Sequence, residues 1–96
     1  MEGLSVIYKY ELPIIDGVIQ LNLPEDSQFL DIQAIGHKIF MWQLINIPAA
    51  LKTKEFIIIG TGQSVTNINL FDHLKTVVMP NNLVAHIFQA KDTKSD

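Results

Sequence analysis

The chain has no cysteine and no arginine among its 96 residues. Without cysteine there is no disulfide framework, no thiolate nucleophile and no thiolate zinc site. Without arginine, the bidentate reading of bases and much of the usual phosphate neutralisation are missing, and the net charge is −3. Double-stranded nucleic acid is therefore not an expected partner. Long hydrophobic runs are absent too. The longest, Ile39 to Trp42 and Phe56 to Ile59, fall far short of the roughly 20 residues that span a bilayer, so no membrane partner is expected. The opening MEGLSVIYKY has neither a basic n-region nor a sustained apolar h-region. A soluble cytoplasmic protein is the expectation.

What is present is isoleucine, 14 of the 96 residues, a stiff β-branched side chain that favours pleated sheet over helix. Residues 1–90 are expected to form a single β-rich domain, and the polar stretch 91–96 a frayed tail. Leu4 to Leu12 reads as a first strand stopped by Pro13. After the Asp16-Gly17 turn, Val18 to Leu23 keeps Ile19, Leu21 and Leu23 on one face until Pro24. Phe29 to Ile35 is a third strand, with Leu30, Ile32 and Ala34 opposite Phe29, Asp31, Gln33 and Ile35. Gly36-His37-Lys38 turns it into Ile39 to Asn46, which carries the only tryptophan.

A fifth strand, Glu55 to Gly60, follows the loop from Ala49 to Thr53, and Thr61 to Asp72 reads as a long irregular connection. Asn69 is placed to cap a short helical turn over Phe71 to Leu74. Leu74 to Met79 and Leu83 to Ala90 close the chain as a hairpin around Pro80-Asn81-Asn82. Short strands with turns every eight to twelve residues predict an all-β fold, a small antiparallel β-sandwich or partly open barrel of about seven strands.

Few residues suggest chemistry. His37, His73 and His86 are too far apart for sequence-local metal ligation, no carboxylate pair stands outside a turn, and Ser64 lacks the setting of a nucleophile elbow. Neither an enzyme, a cofactor nor a metal site is expected. Asp31 and Gln33 share a strand face and predict a polar patch with Lys38 or Gln43, equally explained by a solvated face.

The most informative segment is Phe56-Ile57-Ile58-Ile59-Gly60-Thr61-Gly62-Gln63, a buried β-branched run ending on two glycines. Gly60, Thr61, Gly62, Gln63 and Ser64 are the candidate ligand-binding loop, through a nest of amides and neutral side-chain donors, or else an ordinary strand-ending turn. Trp42 and Tyr8 are candidate stacking surfaces, with core packing as the alternative. Lys9 and Lys54 are the candidate cations for a phosphate, or else ordinary solvated strand lysines. His86 is expected mid-strand and half-buried, as a hydrogen-bonded structural histidine or a ligand contact.

The succession VIYKYEL, LPEDSQFLDIQ, IFMWQLIN, EFIIIGTGQ and LVAHIFQ resembles a family of small uncharacterised proteins of tailed bacteriophages and prophages, over roughly Val6 to Phe88. The chain departs from the family's aromatic pattern at Ala85, just before His86. The resemblance implies an accessory protein of an infected cytoplasm. By analogy of context it suggests an anti-defence role, in which a homo-oligomer sequesters a small nucleotide-derived immune signal. The alternatives are a protein-binding inhibitor acting through an exposed strand edge, and a phage structural accessory protein.

Overall fold

The computed structural model describes residues 3–92, and these form seven strands in two antiparallel sheets that are not closed into a barrel. The three-stranded sheet has the order β1-β4-β3, from Leu4–Leu12, Lys38–Ile47 and Gln28–Ile35. The four-stranded sheet has the order β2-β5-β7-β6, from Ile19–Pro24, Leu51–Gly60, Val84–Ala90 and Phe71–Val78. Alternation builds the core between them. On β4, Ile39, Met41, Gln43 and Ile45 are buried while Phe40, Trp42 and Leu44 lie half-buried on the other face. Leu12 and Ile32 from the same sheet meet Ile19, Leu23, Phe56 and Ile87 from the other in one cluster.

The all-β sandwich expectation holds, and the differences are local. In β3 the pairing with β4 slips between Phe29 and Asp31, a bulge at Leu30. One extra residue reverses the parity, so Phe29 packs on the core with Ile32 and Ala34 while Leu30 is exposed. Strand β5 starts at Leu51 rather than Glu55. Leu51, Lys52 and Thr53 read as loop by composition, yet their backbones pair with Pro24, Leu23 and Asn22. Strand β6 starts at Phe71, where the sequence predicts a helical turn, and the one short 3-10 turn among the described residues lies earlier, at Ile68–Leu70. Its cap is Asn67, with no side-chain capping bond.

Gln43 does not join a surface patch. It points into the core and its Nε2 donates to Met41 Sδ at 3.2 Å. Asp31 instead accepts from Gln33 Nε2 at 3.1 Å and pairs with Lys75 of β6 at 2.8 Å, which ties the two sheets together along the β3 and β6 edges. The β1 and β2 edges have no such tie among the described residues. In the expected tail, Lys91 N–H donates to Leu70 O at 2.9 Å and Asp92 pairs with Lys52 at 3.4 Å. Residues 93–96 lie outside the described ones.

Candidate functional site

Strands β1, β3, β5 and β6 end at the same pole of the sandwich, and β2, β4 and β7 leave from it. Four connections therefore converge there, and between them lies an open groove of about 570 Å³. Its floor is the top of the core, Ile39, Ile58 and Met79. Its rim is unusual for turns, because Ile14, Ile15 and Leu83 stand 56%, 48% and 64% exposed where polar residues are the norm. The polar groups are Asp16, His37, Gln63 and Asn81, and no lysine is among the lining residues described. The size and the mixture of apolar walls with a few polar tips suit a small organic ligand.

The glycine loop forms one wall. Gln63 N–H donates to Gly60 O at 3.0 Å, and its side-chain Oε1 accepts from Gly60 N–H at 3.0 Å. Thr61 N–H donates to Val84 O at 3.3 Å. These amides are spent on closing the turn, so the loop does not present the run of free N–H groups that an anion nest requires. Asn81 is built alike, its Oδ1 accepting from Leu83 N–H at 3.2 Å. Both amides thus fix their oxygens on the local backbone, and among the described residues their NH₂ groups make no hydrogen bond. Donors from Gln63 and Asn81 and an acceptor carboxylate from Asp16 line the same groove.

Thr61 is held from below. Its Oγ1 is hydrogen-bonded to His86 Nε2 at 2.8 Å, and His86 Nδ1 to Thr76 Oγ1 at 3.0 Å. Thr76 Oγ1 also meets His73 Nε2 at 2.8 Å, and the His73 ring stands edge-on to Phe88 at 5.2 Å. A chain of alternating hydroxyls and imidazoles thereby locks the turn to β7 and β6.

The structure brings together only part of the expected set. Gly60 and Gln63 line the groove, with Thr61, Gly62 and Ser64 in or beside the same turn, while His86 bonds Thr61 from the face of β7 opposite groove-lining Ala85. Lys54 lies six residues down β5 from Gly60, roughly 20 Å away at ordinary strand rise. There it lines a smaller polar recess of about 260 Å³ with Lys52, Lys91 and Asp92. Trp42 and Lys9 are neighbours on the outer face of the three-stranded sheet, where the Lys9 ammonium sits 4.7 Å from the Phe40 ring centre. Tyr8 packs edge-on to Tyr10 at 6.5 Å and is not among the groove's lining residues. Sequence reading missed Ile14, Ile15, Asp16 and Asn81. The available signal was aliphatic residues embedded in turns, Ile14-Ile15 before Asp16-Gly17 and Leu83 after Asn81-Asn82.

Residues 4–96 match the family described as Domain of unknown function (DUF7352), and the chain belongs to it. No curated protein and no solved structure matches the chain.

Proposed function

We propose that this DUF7352 domain is a binding protein that sequesters a small nucleotide-derived molecule without turning it over. The observation that carries the reading is the groove itself, in which aliphatic walls adjoin amide donors and a carboxylate acceptor. Flat aromatic heterocycles with hydrogen-bonding edges fit that chemistry, their faces against Ile14, Ile58 and Leu83 and their edges toward Asp16, Gln63 and Asn81. With no lysine among the described lining residues, the reading puts the base or nucleoside part in the groove and any phosphate outside it. Its biological setting, on the resemblance to phage-encoded proteins, is anti-defence in the cytoplasm of an infected cell, where a captured immune signal no longer reaches its receptor.

Calorimetric titration with nucleosides, cyclic nucleotides and nucleotide-sugar derivatives tests this, with chromatography of the recovered ligand. Expected is saturable binding with the ligand unchanged, weakened about tenfold or more in Gln63→Leu/Asn81→Leu, since each lost hydrogen bond costs about 1 kcal/mol. Lys9→Ala and Lys54→Ala should bind as the parent does. Absence of binding across the panel, or conversion of the ligand, overturns the reading.

A further inference from the structure

The four edge strands are not treated alike. Strand β2 is six residues long and ends on Pro24. Strands β3 and β6 each carry a bulge, at Leu30 and at Leu74, and Asp31 and Lys75 join them. Short length, proline, bulges and charged side chains are the ordinary means of preventing an edge from pairing with another chain. Strand β1 has none of the first three, and its charges are one Lys9 and one Glu11, of opposite sign. It is nine residues long, holds an unbroken register with β4 from Leu4 to Leu12, and contains no glycine or proline. Leu4, Ile7 and Tyr8 on it are 70%, 58% and 47% exposed.

We propose that β1 is the docking edge for a second copy of this chain, two β1 strands pairing antiparallel about a two-fold axis at Tyr10. Charge selects both the occupant and the register. Lys9 and Glu11 lie two residues apart, on the same face of the edge. With the axis at Tyr10, Lys9 of each copy stands opposite Glu11 of the other, and Tyr8 stands opposite Leu12. An axis at Lys9 would oppose two ammoniums, and one at Tyr8 would set Lys9 against Ile7; cross-strand partners of opposite charge stabilise a ladder, whereas like charges weaken it. Exposed Ile7 then approaches Pro13 of the second copy, where proline ends the ladder.

Such pairing joins two three-stranded sheets into one of six strands and is isologous, so it closes on itself. The proposal is independent of what the groove binds.

Light scattering after size exclusion, on the whole chain without ligand, tests it. Expected is a species of twice 10.8 kDa at high micromolar concentration, dissociating as salt is raised. Because the axis doubles every change, Lys9→Glu or Glu11→Lys alone should each weaken the dimer about tenfold or more. The exchanged pair Lys9→Glu/Glu11→Lys should restore it, with circular dichroism confirming that each variant is folded. A monomer at every concentration overturns the proposal and leaves the edge to a strand from another protein. A dimer indifferent to both single variants, or one not restored by the exchange, overturns it equally.

Discussion

Asp31 sits where the two sheets are tied, and the Lys75 ammonium hydrogen-bonded to it, together with the Ile32 amide, holds its carboxyl below the ordinary carboxylate range. A carboxylate whose proton affinity is lowered by folding stabilises the fold above its unfolded value of about 4, and that stabilisation is lost as pH falls through the lower folded value. Both side chains are more than a third exposed, so screening keeps the pair to about 1 kcal/mol or less. Asp31→Asn should therefore unfold at slightly lower urea at pH 7, with the difference from the parent closing as the pH falls below 4. The glycine turn can be dissected in the same way. Gly62 has φ 89°, a conformation that costs other residues about 1–2 kcal/mol, whereas Gly60 has an ordinary φ and only Gln63 Oε1 near an added Cβ, at 3.7 Å. Urea titration should show Gly62→Ala destabilised by that amount and Gly60→Ala close to the parent. The sequence motif singled out both glycines, but only the backbone angles distinguish them.

Strands were legible where alternation and proline agreed, and illegible where one residue upset the count. Strand β1 stops before Pro13 and β4 before Pro48, and both lie within a residue of where the pattern puts them. The bulge at Leu30 carries no sequence mark, because Phe29 and Leu30 are both apolar and either could face the core. Their stability effects should separate them. Phe29→Ala is expected to cost about 2–3 kcal/mol, since Phe29 is half-buried against the core, and Leu30→Ala under about 1 kcal/mol. Strict alternation with Leu30 inward predicts the reverse order, so two denaturation midpoints decide it. The same blindness to topology scattered the expected site. Lys54 and Gly60 are close in the chain but lie toward opposite ends of β5, while Asp16 and Asn81, 65 positions apart, line one groove.

At the scale of the whole molecule, the groove lies across the end of the sandwich, so its occupation is linked to the integrity of both sheets. Ile39 belongs to the three-stranded sheet and Ile58 and Ala85 to the four-stranded one, and all three line it. A ligand seated there contacts both sheets, and unfolding must release it. At a hundred times its dissociation constant, a ligand bound only by the folded state adds about 2.7 kcal/mol. In a domain of this size, each kcal/mol moves the thermal midpoint by roughly 4–8 °C. A nucleotide-derived ligand at that excess should therefore raise the midpoint by roughly 10–20 °C, measured by the intrinsic fluorescence of Trp42. The groove variant Gln63→Leu/Asn81→Leu should lose about half of the shift or more, and Lys54→Ala, whose side chain lines the distant recess, should keep it. A shift retained by the first variant and lost by the second would relocate the ligand to the recess of Lys52, Lys54 and Lys91.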